Sequence, residues 1–198
     1  MPRQIVLASH NAHKLEELRA ILGEHLGGIE LIGYDGPEPV EDGLSFEANA
    51  LIKARAAASH TGLPAIADDS GIAVKALNGS PGIFSARWAG PKQGDQANLE
   101  LLLAQLSDIA DEHRAASFMC AAVLVMPGGE AFTRIGEWPG RLLREARGSE
   151  GFGYDPIFQP EGENRSAAEL SSAEKNARSH RTRAFTALAP VIVEQLAD

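Results

Sequence analysis

Two adjacent aspartates, Asp68 and Asp69, follow an apolar run at residues 64–67 that predicts a short buried strand. Charged groups at a strand's end lie at the edge where α/β sheets usually bind ligands. Two neighbouring carboxylates repel each other, and a divalent cation would relieve that repulsion. Side chains of an extended chain alternate between faces, so we expect one aspartate on a metal and the other behind it, unless the chain turns at residues 70–71. An aspartate pair that caps a turn is the alternative.

A second polar group lies in the segment from Ser9 to Lys14, between an apolar run and a predicted helix. Free backbone N–H groups and the helix dipole favour an anion at such a helix start. Ser9 and Asn11 can cap or donate there, and Lys14 adds positive charge. Because the segment lacks the glycines of a Walker loop, a capped helix with a surface lysine stays open as the alternative.

An alanine-rich helix predicted at residues 45–60 carries further polar groups. Lys53 lies inside it, where a solvent-facing lysine is the simplest interpretation. Four residues near its start could bind a hard cation or cap the helix. They are Glu41, Asp42, Glu47 and Asn49.

Charge restricts the possible partners. The 198 residues include 18 Lys and Arg against 27 Asp and Glu, a net charge of -9, which opposes binding to a nucleic-acid polymer. A small anionic ligand is compatible with this charge, because basic residues gather at residues 172–185. They are Lys175, Arg178, His180, Arg181 and Arg183, with Glu174 as the one acid. The alternative is a solvated basic helix face.

Cysteine and histidine usage restricts the metal chemistry. A single cysteine, Cys120, allows neither an intrachain disulfide nor a cysteine zinc site, and the six histidines lack the i, i+4 pairing of a zinc helix. The longest apolar stretch, residues 118–127, is about half of the roughly 20 residues that a membrane helix needs. Apolar residues 5–8 are too few for a signal peptide. We therefore expect a cytoplasmic protein with no membrane partner.

Apolar periodicity predicts the elements that position these residues, in one α/β domain over residues 1–198. The predicted elements are a strand at 4–8, a helix ending near 23, a helix at 45–60, a short strand at 64–67, an apolar run at 72–77, a helix at 96–106 and a β-hairpin of 115–126 with 131–138. A capping box from Ser171 to Glu174 predicts a last helix toward Leu188, broken or kinked at Pro190.

Six blocks in this order over nearly the whole chain resemble a known family. The blocks are residues 9–14 (SHNAHK), 43–54 (GLSFEANALIKA), 65–71 (AIADDSG), 81–87 (PGIFSAR), 151–158 (GFGYDPIF) and 174–181 (EKNARSHR). They are similar to the inosine triphosphate pyrophosphatase family, also called XTP/dITP diphosphatases. The resemblance implies an elongated mixed β-sheet flanked by helices, with a nucleotide cleft between two lobes. It also implies a homodimer that uses Mg²⁺ to cleave dITP, ITP or XTP to the monophosphate and pyrophosphate.

The resemblance also implies roles for individual residues. Asp69 would accept a proton and bind the metal, with Glu41 and Asp68 as supporting metal ligands. The substrate would contact Ser9, His10, Asn11, Ala12, His13, Lys14, Lys53, Ser70, Phe152, Gly153, Tyr154, Asp155, Lys175, His180 and Arg181. His10 is a departure, since family members commonly carry glycine or asparagine there.

Base selectivity must distinguish a 6-oxo group from the amino group of adenine. A pocket that donates hydrogen bonds to this oxygen leaves its donors unpaired against adenine. Lys175, His180, Arg181 and the backbone amides of residues 152–155 are candidate donors, and Phe152 or Tyr154 is expected to stack on the base.

Two other functions remain compatible with these patterns. One is a related pyrophosphatase acting on modified pyrimidine nucleotides. The other is a nucleotide-binding sensor without turnover. Asp68 and Asp69 argue against a sensor, because a protein that only binds a nucleotide needs no proton acceptor.

Overall fold

Six strands form one mixed sheet in the order β2-β1-β3-β4-β5-β6. The computed structural model describes residues 3–197. The strands are β1 (Gln4–Leu7), β2 (Glu30–Ile32), β3 (Ala65–Val74), β4 (Ala115–Val125), β5 (Ala131–Leu142) and β6 (Phe158–Pro160), and the helices are α1 (Ala12–Leu22), α2 (Phe46–Thr61), α3 (Gly94–Gln105), α4 (Ser172–Asn176) and α5 (His180–Gln195). β1 runs parallel to β2 and β3, whereas β5 and β6 are antiparallel. The predicted mixed sheet flanked by helices is confirmed, and the nucleotide cleft stays a prediction.

Local signals in the sequence explain where the first helices begin and end. The Asn11 side chain accepts the Lys14 N–H at the start of α1, and Ser45 accepts the Ala48 N–H at the start of α2. Gly62 ends α2 with a φ of 68°, a left-handed conformation that favours glycine. Between β4 and β5, the Met126 N–H donates to the Glu130 carbonyl and closes the predicted hairpin turn.

The chain divides into two units, while the predicted single domain stays a prediction. The first unit holds the described residues up to Asp69, Cys120–Gly136 and those from Arg181 onward; the second holds Ser70–Met119 and Glu137–His180. In the first unit, β1 separates two apolar cores: Ile5 and Leu7 pack with residues of α1 and α5, and Val6 packs with the alanines of α2. Within residues 3–197, no helix has the length and apolar character needed to cross a membrane.

The second unit has an aromatic core with a buried arginine nearby. Phe118 and Trp138 both contact Phe158, at ring distances of 4.7 and 5.5 Å. Arg114 is 1% exposed and donates to the carbonyls of Leu106, Leu142 and Leu143 at 2.6 to 3.0 Å. Three hydrogen bonds to backbone carbonyls therefore satisfy this buried guanidinium.

We expect Arg114→Ala to lower the free energy of unfolding by about 2 to 3 kcal/mol, because buried carbonyls lose their donor. Urea unfolding followed by circular dichroism measures this change. Arg134→Ala is the control, since Arg134 is exposed and donates only to the neighbouring Thr133 carbonyl. Equal stability of the two variants would contradict this role.

Two sequence predictions about the secondary structure are wrong. Residues 65–74 form one continuous strand, where a short strand and a separate apolar run were expected. Gly71 is needed there for close packing, because a Cβ would collide with Ser85 and the Gly82 carbonyl. Along this strand the Ile72 N–H donates to Ser85 Oγ at 2.9 Å. Because the strand is continuous, both aspartates lie within it and the chain does not turn at residues 70–71.

The second error concerns the C-terminal helix. The Ser171 to Glu174 capping box is present, but α4 ends at Asn176 and a separate α5 begins at His180. The Arg178 N–H donates to the Lys175 carbonyl, a tight i to i−3 bond typical of a helix end. Pro190 lies inside α5 without ending it. Buried apolar residues on both sides of Pro190 pack into the core and offset the one lost backbone bond.

Candidate active site

Asp68 and Asp69 point to opposite faces of β3, as the alternation of an extended chain requires. Asp68 contacts Lys14 of α1 and Arg181 of α5, whereas Asp69 contacts Asn49 and Lys53 of α2. The expectation that the two neighbouring aspartates face opposite sides is therefore confirmed, and a metal on one of them stays a prediction.

Asp68 is the centre of a buried charge network in the first unit. Its Oδ1 lies 2.6 Å from Lys14 Nζ, and its Oδ2 lies 3.3 Å from Arg181 Nε. Arg181 also binds Glu17, with Nη1 at 2.9 Å from Oε2. The Cys120 thiol lies 3.8 Å from Asp68 Oδ2. Two acidic and two basic side chains thus compensate each other's charge around Asp68, whose side chain has no exposed surface.

These cations decide the ionisation of Asp68. Burial by itself would raise the pKa of Asp68, but Lys14 and Arg181 together hold it well below its usual range. Burial likewise disfavours the charged form of Arg181, and Asp68 with Glu17 more than offsets this, so its pKa is raised. Asp68 is consequently a carboxylate at neutral pH, and it holds Lys14 and Arg181.

Asp69 belongs to a second, more open network. Asn49 Nδ2 donates to Asp69 Oδ2 at 3.1 Å, and Lys53 Nζ lies 3.6 Å from Asp69 Oδ1 and 3.1 Å from Glu41 Oε2. The other end of the Asn49 amide accepts the Gly43 N–H at 2.9 Å. The Lys53 side chain is 17% exposed, so the interpretation of it as a solvent-facing lysine is wrong.

The environment of Asp69 favours a carboxylate that can take up a proton. Burial raises its pKa above the usual value, and the negative charges of Glu41 and Asp68 act in the same direction. Lys53 and the Asn49 hydrogen bond offset part of this effect. A partly buried carboxylate with a raised pKa is typical of a general base.

A cavity of about 240 Å³ lies beside these groups in the first unit. Its lining residues are Ala8, Ser9, His10, Lys14, Tyr34, Glu38, Pro39, Glu41 and Lys53. Two ammonium groups and polar loop residues thus surround one space, a composition suited to phosphate groups.

The first loop divides into capping residues and cavity residues. Asn11 caps α1, and Ser9 Oγ accepts the Asn11 N–H at 3.2 Å. Ala12 and His13 lie exposed in the first turn of α1. Lys14 is only 19% exposed and pairs with Asp68, so the interpretation of it as a surface lysine is wrong.

The three predicted metal ligands are not brought together. Among residues 3–197, no group of three or more His, Cys, Asp and Glu side chains is placed to hold a metal ion. Asp68 does not fit a metal-binding role, because it is fully buried and both its oxygens face cations. Glu41 and Asp69 do fit magnesium, which needs one or two carboxylates together with substrate phosphates.

In the second unit, Lys175 connects two of the predicted substrate residues. Its Nζ binds the buried Asp155 carboxylate and lies 4.5 Å from the centre of the Phe152 ring. Phe152 is 65% exposed, whereas Tyr154 is 5% exposed and donates its hydroxyl hydrogen to the Ser85 carbonyl. Of the two aromatic candidates, Phe152 alone presents a ring on which a base could stack.

Three of the four backbone amides expected to bind the base already donate within the protein. The Phe152 N–H donates to Asp155 Oδ2 at 2.8 Å, and the Gly153 N–H donates to Asp95 Oδ2 at 2.9 Å. The Asp155 N–H donates to the Phe152 carbonyl. These three amides hold the loop itself, so they are wrong as donors to a substrate in this conformation.

The remaining predicted substrate residues occupy separate elements. Ser70 lies within β3, partly exposed. The His180 ring stacks on Phe118 with a centre distance of 5.0 Å and an angle of 13°. Aromatic stacking therefore orients the imidazole at the first residue of α5.

Three residues outside the predicted substrate and metal contacts hold groups of the site, and only Asn49 among them was considered from the sequence, as a cation ligand or helix cap. Asn49 holds Asp69, Glu17 holds Arg181, and Asp95 holds the Gly153 amide. Helical spacing could have found two of them, since Asn49 lies four residues before Lys53 and Glu17 three after Lys14. No local pattern identifies Asp95, because its partner is 58 residues away.

Comparison with known proteins finds relatives and solved structures that are similar over nearly the whole chain. The chain is 59% identical to a dITP/XTP pyrophosphatase of Leifsonia xyli subsp. xyli, over 96% of this chain and 95% of that protein, and 55% identical to one of Streptomyces coelicolor, over 98% of each. Among solved structures, a HAM1 protein from Coxiella burnetii superposes with a TM-score of 0.90 at 43% identity, over 97% of this chain and 99% of that one. A nucleoside-triphosphatase from Mycobacterium abscessus, also named dITP/XTP pyrophosphatase, gives 0.80 at 52% identity, over 96% and 99%. The model of the Ham1 family matches residues 5–191. The resemblance inferred from the sequence blocks is therefore confirmed, and the chain belongs to the Ham1 family.

Proposed function

We propose that this protein hydrolyses dITP, ITP and XTP to the nucleoside monophosphate and pyrophosphate. Its relatives at 50 to 59% identity are named dITP/XTP pyrophosphatases. The observation that carries the proposal is the Asp69 carboxylate, whose pKa burial raises, next to Lys53 and a cavity with two lysines. The test is turnover of each nucleotide with identification of the products.

In the proposed reaction, Asp69 accepts the proton of the attacking water. Its raised pKa makes it a stronger base than an exposed aspartate, and Asn49 and Lys53 fix its orientation. Lys14 and Lys53 would bind the phosphate oxygens and balance the charge of the departing pyrophosphate. Asp68 keeps Lys14 in place and stays charged throughout.

We include magnesium in this proposal as the cofactor. Glu41 and Asp69 would hold it together with substrate phosphates, which suits an ion that binds few protein carboxylates. When bound, it would neutralise negative charge on the phosphate oxygens as water attacks.

Side chains of the second unit would recognise the base. Lys175 and His180 are the candidate donors of this unit for the 6-oxo group, whereas Arg181 belongs to the first unit and binds Asp68 and Glu17 there. Phe152 would stack on the ring. Asp155 holds Lys175 and orients its ammonium group.

We expect Lys175→Ala to reduce the preference for dITP over dATP more than it reduces turnover of dITP. The 6-oxo group would lose its donor, and an unpaired donor would no longer penalise adenine. The measurement is kcat/KM for both nucleotides. Lys92→Ala is the control, because Lys92 is an exposed lysine of the same unit. An unchanged dITP/dATP ratio in Lys175→Ala would count against this assignment.

The proposal includes a homodimer in the cytoplasm, as the resemblance and the sequence imply. Sedimentation of the purified protein measures the assembly, and a monomer at micromolar concentration would contradict it. A pyrimidine-directed pyrophosphatase is the second candidate on the same fold, and faster hydrolysis of a modified pyrimidine triphosphate would favour it.

A further inference from the structure

A short loop, residues 34–38, lies beside the cavity of the first unit and precedes Glu41 by three residues. We propose that His10 is a positioning residue that fixes this loop and thereby the Glu41 side of the cavity. The inference rests on the proposed function for its effect on turnover. The inference goes beyond the proposed function because it gives His10 a role other than substrate contact. His10 is also unlike the residues expected at its position.

His10 contacts this loop through both ring nitrogens and through its face. Nε2 lies 2.8 Å from the Gly36 carbonyl oxygen, and Nδ1 lies 2.9 Å from Glu38 Oε1. The ring also stacks on Tyr34, with centres 5.7 Å apart and an angle of 7°. Tyr34 in turn donates its hydroxyl hydrogen to the Pro37 carbonyl at 3.0 Å. One histidine thus contacts three residues of a five-residue loop.

The loop backbone lies directly against the ring that His10 covers. A Cβ at Gly36 would collide with the Tyr34 ring, so only glycine allows this approach. Tyr34 is 8% exposed, and its ring also meets His60 edge-on at 5.8 Å. Because Tyr34 is anchored in the apolar core beside α2, the loop is held between a fixed ring and His10.

The two polar contacts require both ring nitrogens of His10 to donate. A carbonyl oxygen and an ionised carboxylate can only accept hydrogen bonds. Only the protonated imidazole satisfies both at once, whereas the neutral ring satisfies one. The titratable groups around it are Glu38, Lys14, Lys53 and Glu41 in the same cavity, and the Tyr34 hydroxyl with His60 behind it.

The loop connects His10 to the proposed chemistry through Glu41. Glu41 Oε2 binds Lys53 Nζ at 3.1 Å, and the same Nζ lies 3.6 Å from Asp69. Without the His10 contacts the loop would move more freely, and the Glu41 carboxylate would no longer be held beside Lys53 Nζ. We expect turnover to fall and the Mg²⁺ requirement to rise, while the dITP/dATP preference, which depends on Lys175, stays unchanged.

Hydrogen exchange in the protein without nucleotide or metal tests the contact independently of activity. We expect His10→Ala to speed exchange in a peptide covering residues 33–42 by about fivefold or more, the factor for one lost hydrogen bond. Glu38→Gln should give a smaller increase, and His10→Gln, which keeps one donor, should fall between wild type and alanine. The control is His25→Ala, since His25 is exposed in the same unit.

Two comparisons decide the result. If His10 acts through Glu38, Glu38→Gln adds nothing to exchange in the His10→Ala background; equal effects in both backgrounds would overturn the pairing. Wild-type exchange in His10→Ala, or unaltered kcat and Mg²⁺ dependence with dITP, would overturn the positioning role. If wild type itself does not hydrolyse dITP, the proposed function fails, while the exchange result still decides whether His10 holds the loop.

Discussion

Asp69→Asn should lower turnover of dITP by about two orders of magnitude or more, the range typical for loss of a general base. An amide of the same shape keeps one acceptor for Lys53, loses the acceptor for Asn49 Nδ2, and cannot accept the proton of water. Because Glu41 remains as the nearer acid beside Lys53, the purified variant should unfold within about 1 kcal/mol of wild type. Steady-state kinetics and urea unfolding measure both quantities.

The control for this variant is Asp108→Asn, since Asp108 is an exposed aspartate outside the first unit. It should turn over dITP like wild type. Near-normal turnover in Asp69→Asn would remove Asp69 as the proton acceptor.

The pH profile offers an independent check on Asp69. Since burial raises its pKa above the usual value near 4, turnover should fall as the pH drops through that raised value and Asp69 becomes protonated. A carbon NMR titration of the side chain in metal-free protein measures the shift directly. A pKa below 4 in that titration would contradict the assigned environment.

Asp68→Ala should destabilise the protein by about 3 to 5 kcal/mol, the range for removing one partner of a buried ion pair. Arg181 would then keep Glu17 as its acid, whereas Lys14 would lose its carboxylate partner. Turnover should also fall, because Lys14 would lose its fixed position beside the cavity. Urea unfolding followed by circular dichroism measures the stability, and a loss below about 1 kcal/mol would contradict the network.

The sign of the pH dependence follows from the lowered pKa of Asp68. A carboxyl with a lower pKa in the folded than in the unfolded state stabilises the fold above the unfolded value near 4. That contribution is lost as the pH falls through the native pKa. The stability difference between wild type and Asp68→Ala should therefore shrink in acid. The control variant is Glu24→Gln, an exposed acid of the same unit, which should show no such difference.

Local signals were sufficient for the elements that carry the first network. The side chains of Asn11 and Ser45 and the apolar spacing of the first strand predict β1, α1 and α2 without any tertiary information. Alternation along an extended chain also predicted that Asp68 and Asp69 face opposite sides. These features depend on residues within one or two turns of each other.

The partners of the site residues depended on distant segments instead. Arg181 is 113 residues from Asp68 in the chain, and no spacing rule connects them. The use of the Phe152 and Gly153 amides within their own loop depends on Asp155 and Asp95, which sequence patterns alone present as ordinary acids. The tertiary fold determines these side-chain partners, so the sequence alone could not predict them.

The most direct test of the proposed function is the product of each nucleotide. The purified protein with magnesium is incubated separately with dITP, XTP, dATP, dGTP and dTTP, and the products are separated by ion-exchange chromatography. We predict monophosphate and pyrophosphate from dITP and XTP, with little turnover of the other three. Diphosphate and orthophosphate, faster turnover of dTTP, or no turnover of any nucleotide would contradict the proposed function.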